Sequence, residues 1–194
     1  MLLVTSHLTY ASQSILLLGD SLSASYGMKQ NQGWVHLLNE QLKTKSANYQ
    51  IINASISGET TAGGLSRLPG ILSKQKVDYL LVELGGNDGL RGFPTDLIKN
   101  NLLQIVELAK QKNIPVFIME VKIPPNYGPR YNKMFAEVFE QVSDQTQTPL
   151  LPFFIEHIAV KPELMQRDGI HPTAEAQPLI VETMSKTLSD MIKG

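Results

Sequence analysis

Near its N-terminus the chain reads Leu16-Leu17-Leu18-Gly19-Asp20-Ser21-Leu22-Ser23, an apolar run that stops at a glycine and is followed by a serine. Together with Ile15, the run has the continuous apolar character of a strand buried on both faces, which is typical of a parallel sheet. Gly19 permits a sharp exit from that strand, and Asp20 and Ser21 favour turns and helix starts. In open α/β sheets, ligands bind in the crevice beyond the carboxyl ends of the strands. The pattern therefore predicts that Ser21 lies at the mouth of such a crevice.

Composition limits the classes of protein to which this chain can belong. Its 194 residues, 42% of them hydrophobic, fit one domain with a sizeable core. Lysine and arginine (17 residues) nearly balance aspartate and glutamate (18 residues), so the net charge is −1 and we expect no nucleic-acid partner. The absence of cysteine excludes disulfides, thiol nucleophiles and thiolate metal sites. No apolar run reaches the roughly 18 residues of a membrane span, so we expect no stable membrane insertion.

The N-terminal segment differs in character from the rest of the chain. Residues 1–4 are apolar, but Thr5, Ser6 and His7 interrupt the run and no basic residue precedes it. A secretory signal needs a basic start and an unbroken apolar core. We expect residues 1–13 to be a flexible leader or the remnant of a signal, and residues 14–194 to form a single domain.

From residue 14 onward, short apolar strands alternate with amphipathic helices. Apolar runs predict strands at residues 50–54, 77–84, 115–121 and 149–154, in addition to the strand before Ser21. Apolar spacings of three and four predict helices with these apolar faces: Val35, Leu38 and Leu42; Leu65, Leu68 and Leu72; Ile98, Leu102 and Ile105; Phe135, Val138 and Val142; Ile180, Met184 and Leu188. We expect Pro69 and Gly70 to break the second helix and Thr95 to be the N-cap of the third.

Five strands that alternate with helices predict a three-layer α/β/α sandwich around a five-stranded parallel sheet. Parallel strands all end at the same edge of their sheet, so the loops that follow them converge there. The predicted sheet therefore brings together Ser21, Gly58, Asn87 and the loop formed by residues 168–171, although these are far apart in sequence.

The sequence Asp168-Gly169-Ile170-His171-Pro172 offers what a serine nucleophile needs. A serine hydroxyl reacts only when a general base takes its proton and a third group orients that base. His171 is the candidate base, and Asp168, three residues earlier, is able to reach the imidazole from the same loop. The alternative interpretation is that Asp168 and Gly169 form a turn and that His171 and Pro172 cap the final helix.

Acyl transfer also requires hydrogen-bond donors for a developing oxyanion. The candidates are the backbone amide of Ser21, at a turn expected to lead into a helix, the unobstructed amide of Gly58 and the side-chain amide of Asn87. Taken alone, Gly85-Gly86-Asn87-Asp88 is equally a glycine-rich turn after a buried strand. Three such loops at the ends of three strands favour the oxyanion interpretation.

These blocks together resemble the SGNH (GDSL) hydrolase superfamily. The similarity lies in Gly19-Asp20-Ser21-Leu22-Ser23, Gly58, Gly85-Gly86-Asn87-Asp88 and Asp168-Gly169-Ile170-His171-Pro172, which occur in the order of that superfamily's motifs. With the flanking segments at residues 53–60 and 81–92, the chain is most similar to the bacterial periplasmic group of multifunctional thioesterases, lysophospholipases and arylesterases. The resemblance extends from Ile15 to the C-terminus.

The resemblance implies a flavodoxin-like strand order of 2-1-3-4-5 and roles for particular residues. Ser21 is expected to be the nucleophile, with Asp168 and His171 completing the triad and with Ser21, Gly58 and Asn87 forming the oxyanion hole. Substrates implied are small acyl esters, thioesters and lysophospholipids, without a cofactor or a metal ion. A monomer in the periplasm or outside the cell is also implied.

Some residues of the expected site are less firmly assigned by the resemblance. Arg91 and the loop of residues 124–131, including Pro125 and Tyr127, are expected to shape substrate binding. Ser25 departs from the family pattern, in which close relatives often carry glycine, and we expect it to stiffen or narrow the entrance. Glu83, at the end of a buried strand, is expected to be a structural hydrogen-bonding group.

Two other functions remain open from the residues alone. A flavodoxin-like binding module would use Ser21, Ser23 and Ser25 to hold a cofactor phosphate at the first turn. A metal-dependent phosphoesterase would use Asp20, Asn87, Asp88 and His171 as ligands, although such sites usually need more of them.

Overall fold

The computed structural model describes residues 12–193, which excludes most of the predicted leader at residues 1–13. Five strands form one parallel sheet in the order β2-β1-β3-β4-β5, as the motifs implied. Their bounds are β1 Gln13–Gly19, β2 Tyr49–Asn53, β3 Tyr79–Glu83, β4 Val116–Met119 and β5 Leu150–Leu151.

Helices connect and follow these strands. The α-helices are α1 Trp34–Thr44, α2 Thr61–Lys74, α3 Gly86–Leu90, α4 Thr95–Lys110, α5 Pro129–Thr146, α6 Glu156–Ala159 and α7 Gln177–Lys193. Short 3₁₀ turns occupy Gln30–Gln32, Pro125–Tyr127 and Pro162–Leu164.

Strand β1 lies at the centre of the core because it is paired on both sides. It pairs with β2 on one edge and with β3 on the other, where Leu17 is opposite Leu81 and Gly19 is opposite Glu83. The side chains of residues 15–18 have no solvent exposure. An apolar run with no polar alternation is what such a strand requires, because helices cover both of its faces.

The helices divide into two groups that cover the sheet. Helix α4 packs between α2 and α5, and α1 packs against α7. The chain moves from β1 to β2 in one direction and then back past β1 to β3 in the other. Because such crossovers are right-handed, this reversal sends the connecting helices to opposite faces and opens a crevice at the carboxyl ends of β1 and β3. The predicted three-layer α/β/α sandwich is confirmed.

The predicted break at Pro69 is wrong, because α2 continues through it from Thr61 to Lys74. Pro69 and Gly70 are solvent-exposed, while the neighbouring Leu68 is fully buried. A proline removes one backbone hydrogen bond, but here the proline itself lies on the exposed side of the helix. The buried apolar face anchors the helix on both sides of the proline.

Three boundaries also differ from the prediction. Helix α4 begins at Thr95 with Pro94 as its N-cap, so Thr95 is not the cap. Strand β5 has two residues where six were expected, because Pro152 has no amide hydrogen to continue the ladder. The segment after Gly85, expected to be a loop, forms the short helix α3.

Within residues 12–193, no helix combines the length and the apolar character that crossing a membrane would need.

Candidate active site

Ser21 lies in the turn that follows β1, at the open crevice. The Oδ1 atom of Asp20 accepts a hydrogen bond from the Leu22 amide (3.0 Å), and the Ser23 amide donates to the Asp20 carbonyl (3.3 Å). These bonds turn the chain sharply as it leaves the sheet. Residues 21–27 form consecutive turns rather than the helix start that was expected, and the first regular turn of helix is at Gln30–Gln32.

The loop that carries His171 is shaped by its own aspartate. Asp168 Oδ1 accepts hydrogen bonds from the backbone amides of Ile170 (2.9 Å) and His171 (3.0 Å), and Gly169 takes a positive φ of 67° that favours glycine. The other oxygen, Oδ2, lies 2.7 Å from His171 Nδ1. Although partial burial opposes it, the pKa of Asp168 lies below its ordinary value, because the hydrogen bonds from the His171 ring and from both amides favour the carboxylate.

The same imidazole reaches the serine at the other end of the sequence. His171 Nε2 lies 2.8 Å from Ser21 Oγ, across a separation of 150 positions in the chain. Asp168, His171 and Ser21 therefore form a continuous line of hydrogen bonds. The alternative interpretation of His171 and Pro172 as a helix cap does not fit, since α7 begins only at Gln177.

Asn87 lies in the first turn of α3, directly after β3. Its Nδ2 atom donates to Asp20 Oδ2 at 3.1 Å. An amide nitrogen has two hydrogens, so this bond fixes the orientation of the Asn87 side chain and leaves one hydrogen for another acceptor. Asn87 and Ser21 both line the same cavity.

Gly58 lies on the loop after β2, outside the residues that line that cavity. Its φ of +79° lies in the left-handed region, which glycine adopts without strain. The Ile56 amide donates to the Gly19 carbonyl (3.1 Å), which ties this loop to the end of β1. The Arg91 guanidinium donates to the Gly58 carbonyl (3.1 Å), which holds the loop from the other side.

Two buried carboxyl groups, those of Asp20 and Glu83, lie beneath the serine turn. Glu83 Oε2 accepts hydrogen bonds from the Asp20 amide (3.3 Å) and from Ser23 Oγ (2.9 Å). Glu83 Oε1 has no hydrogen-bond partner among the residues described.

Burial is the largest cause of the raised pKa of each of these two carboxyls. Burial first, and the neighbouring Asp20 second, raise the pKa of Glu83 well above its ordinary value. Burial also raises the pKa of Asp20 from 3.8 to about 6, against the Leu22 amide bond and the field of His171. Both carboxyls therefore hold their protons to higher pH than a solvated carboxyl does, and Asp20 accepts a hydrogen bond from the amide of Asn87.

The remaining polar groups do not support the two alternative functions. Asp88 is fully buried and accepts bonds from the Thr61 amide (2.9 Å) and hydroxyl (2.7 Å), so it is not available as a ligand beside Asp20. Ser23 Oγ is bonded to Glu83, and Ser25 Oγ packs over Gly33. The three serine hydroxyls therefore do not converge into a phosphate cradle.

A cavity of about 170 Å³ opens beside Ser21. Its polar and charged lining residues are Asp20, Ser21, Asn87, Lys122 and His171. The apolar lining comes from the loops after β1, β3, β4 and β5, namely Leu22, Leu90, Val121, Ile123, Phe153, Ile155, Met165 and Ile170. A reactive hydroxyl at the edge of an apolar cavity is suited to a substrate with a polar reacting group and an apolar chain.

The three residues predicted to shape substrate binding lie around this cavity rather than in its lining. Arg91 contacts the Gly58 carbonyl, as described above. Tyr127 donates its hydroxyl hydrogen to the Leu90 carbonyl (2.8 Å), and Pro125 begins the 3₁₀ turn that carries Tyr127. The adjacent Pro124 does line the cavity.

Two features of the site were not predicted from the sequence. Glu83 was expected to be a structural hydrogen-bonding group, and it does accept two hydrogen bonds, but its pairing with the buried carboxyl of Asp20 was not foreseen. Tyr26 stacks on the His171 ring, with ring centroids 4.1 Å apart and planes 28° apart. A buried acidic residue in an apolar strand was a usable signal for Glu83, whereas no local pattern pointed to Tyr26.

Comparisons with known proteins match nearly the whole chain. A model of the GDSL-like lipase/acylhydrolase family matches residues 17–178. An arylesterase from Vibrio mimicus is 46% identical over 178 residues, covering 92% of this chain and 89% of the arylesterase. The thioesterase 1/protease 1/lysophospholipase L1 of Escherichia coli (strain K12) is 43% identical over 182 residues, covering 94% and 86%. The solved structure of psychrotrophic esterase EstA from Pseudoalteromonas sp., inhibited by monoethylphosphonate, superposes with a TM-score of 0.92 at 45% identity, over 94% of this chain and 100% of that one.

Proposed function

This chain belongs to the GDSL-like lipase/acylhydrolase family and is a serine hydrolase, and from that premise we propose that it cleaves esters through an acyl-enzyme formed on Ser21. The observation that carries the proposal is the line of short contacts from Asp168 Oδ2 to His171 Nδ1 (2.7 Å) and from His171 Nε2 to Ser21 Oγ (2.8 Å). A serine, a base and an orienting carboxylate in this geometry are the parts that nucleophilic acyl transfer needs.

In the first half of the reaction, Ser21 Oγ attacks the acyl carbonyl carbon while its proton passes to His171 Nε2. Asp168 holds the imidazole with its Nδ1 proton inward and stabilises the imidazolium. The tetrahedral intermediate collapses, and the leaving alkoxide or thiolate takes the proton from His171 Nε2. Water then attacks the acyl-enzyme, gives its proton to His171, and Ser21 regains it as the carboxylic acid leaves.

The oxyanion is proposed to accept hydrogen bonds from the amides of Ser21 and Gly58 and from the Asn87 side chain. The Asn87 amide has one hydrogen engaged by Asp20 (3.1 Å) and one free. Because Asp20 fixes the amide in advance, this donor needs no reorganisation when charge develops on the substrate oxygen. This preorganisation supports the role of Asn87 as an oxyanion donor.

The substrates proposed are small acyl esters, with acyl thioesters and lysophospholipids as further members of the same class. Relatives of this chain include an arylesterase and a thioesterase 1/protease 1/lysophospholipase L1. The apolar lining beside Ser21 suits an acyl or aryl group. We assign Arg91 to the support of Gly58, and the loop of Pro125 and Tyr127 to the rim of the site.

We also propose that the enzyme acts as a monomer in the bacterial periplasm or outside the cell. The support is the similarity of its motifs to the periplasmic group and the near-neutral charge of −1. Cell fractionation of the expressing bacterium and light scattering on purified protein test the two parts. Activity confined to the cytosolic fraction, or a stable dimer at micromolar concentration, would contradict them.

A phosphonate ester tests the nucleophile directly. It should label one residue, Ser21, and abolish ester hydrolysis with one equivalent bound by intact mass. Ser21→Ala should take no label, while Ser23→Ala is the matched control, because that hydroxyl lies two residues away but is bonded to Glu83. Peptide mapping that placed the adduct on another serine would overturn the assignment.

A further inference from the structure

Tyr26 is an aromatic residue that lies outside the hydrophobic core. It is 45% exposed, yet one face of its ring lies against His171, with centroids 4.1 Å apart and planes 28° apart. Its neighbours Ser25 (φ 60°) and Gly27 (φ 72°) both adopt left-handed backbone conformations. For serine, unlike glycine, this conformation is strained. Strain of this kind persists only where the surrounding structure requires it.

The turn that carries Tyr26 is attached to the segment that carries His171. The side-chain Nε2 of Gln166 donates to the backbone carbonyls of Tyr26 and Pro172, each at 3.0 Å. The backbone amide of Gln166 donates to the His171 carbonyl at 2.7 Å. A Cβ atom on Gly27 would come within 2.5 Å of the Gln166 side chain. Gln166 therefore fixes the backbone of Tyr26 relative to the backbone of His171, and this arrangement places the two rings side by side.

From this geometry we propose that Tyr26 is a positioning residue for His171, holding the imidazole plane in line with Ser21 and stabilising the imidazolium that forms during acyl transfer. The inference rests on the proposed role of His171 as general base. Asp168 already restrains the ring at Nδ1 (2.7 Å), but a single hydrogen bond leaves the ring free to tilt about it. A stacked ring removes that tilt.

The second effect, stabilisation of the imidazolium by Tyr26, adds to the effect of the charged and polar groups around the imidazole. The groups that face it are the carboxylates of Asp168, at Nδ1, and Asp20, whose field reaches it from the turn after β1, together with the Ser21 hydroxyl at Nε2. Tyr26 contributes the electron-rich face of an aromatic ring, which attracts an imidazolium more than a neutral imidazole. The ring also covers one side of the base against water.

Two substitutions separate this role from packing. Tyr26→Phe keeps the ring face and should remain within about two-fold of the wild-type kcat. Tyr26→Leu removes the face and should lower kcat about two- to five-fold at unchanged KM. It should also move the midpoint of the acid limb of kcat/KM to lower pH by about 0.4–0.7 unit, since a less stabilised imidazolium loses its proton more easily.

The control is Tyr79→Leu. Tyr79 is the half-buried first residue of β3, at the end of that strand remote from the site, and it packs against Phe117 of β4. This substitution makes the same change of side chain, so it should lower the melting temperature without moving the acid limb. An unchanged kcat and acid limb in Tyr26→Leu would overturn the proposal, as would a rise in KM alone, which indicates substrate contact, or a loss in Tyr26→Phe equal to that in Tyr26→Leu. His171→Ala serves as the reference, because full activity in that variant refutes the proposed function itself rather than the role of Tyr26.

Discussion

The substitution Asp20→Asn tests the buried carboxyl pair in both stability and rate. Asp20 is 3% exposed, and as an anion it accepts bonds from the Leu22 amide and from Asn87 Nδ2. Asparagine has nearly the same shape but carries no charge and offers one acceptor oxygen instead of two. The variant therefore removes a titrating group from the core and withdraws one of the acceptors that the site uses.

The expected effect on stability follows from the pKa of Asp20. Burial raises it from 3.8 to about 6, a rise of roughly two pH units that corresponds to about 3 kcal/mol. Because the folded value lies above the unfolded one, the folded state holds the proton more tightly. This contribution is fully present below pH 3.8 and is lost as the pH rises through about 6. Between pH 4 and 7, the wild type should therefore lose about 2–2.5 kcal/mol of unfolding free energy relative to Asp20→Asn, since pH 4 already lies slightly above the unfolded pKa.

The absolute unfolding free energies of the wild type and Asp20→Asn are a less useful readout than the slopes of these free energies against pH. Losing a hydrogen bond to a charged group costs roughly 1–3 kcal/mol, which offsets the curve of the variant by a constant. Burial, the larger cause of the raised pKa of Glu83, is the same in both proteins, so the difference between the two curves reports chiefly on Asp20.

Urea unfolding at half-unit steps from pH 4 to 7 measures the difference. Asp190→Asn, at an exposed aspartate of α7, is the control and should follow the wild type in parallel. In Asp20→Asn, kcat should also fall between about ten- and 1,000-fold, the upper limit being loss of a whole oxyanion donor. Parallel wild-type and Asp20→Asn curves across the window would refute the buried titrating pair.

Three further substitutions test other parts of the structure. Asn87→Ala should lower kcat by about 100- to 1,000-fold with little change in KM; a fall of less than ten-fold with a clear loss of thermal stability in steady-state and melting assays would make Asn87 only a scaffold residue. Asp168→Asn should stay folded, since Oδ1 keeps its two amide bonds, but lose about three to four orders of magnitude in kcat, because the imidazole tautomer is no longer enforced; near-wild-type turnover would reduce Asp168 to a turn residue. Pro69→Ala should raise the unfolding free energy by about 1–3 kcal/mol, since the exposed α2 interior regains one hydrogen bond; a lower urea midpoint would show that the proline favours the folded state.

Much of this fold and site follows from local signals in the sequence. The apolar run at residues 15–18 indicated a doubly covered central strand because burial on both faces leaves no place for polar alternation. The five strands, their parallel arrangement and the convergence of Ser21, Asn87 and His171 follow from alternation of elements, since parallel strands share one carboxyl edge. The strand order required the motif resemblance, because several orders are compatible with the same alternation.

Other features depended on contacts that no local pattern encodes. A proline in a helix is a local penalty, but whether α2 breaks at Pro69 depends on which side of the helix is buried. Glu83 lies beside Asp20 and accepts its backbone amide because the β1–β3 register places Gly19 opposite Glu83. Tyr26 meets His171 because Gln166 joins two segments from opposite ends of the chain. Apolar periodicity determines which elements form, whereas register and loop attachment determine which side chains touch, and those are settled only when the whole core has packed.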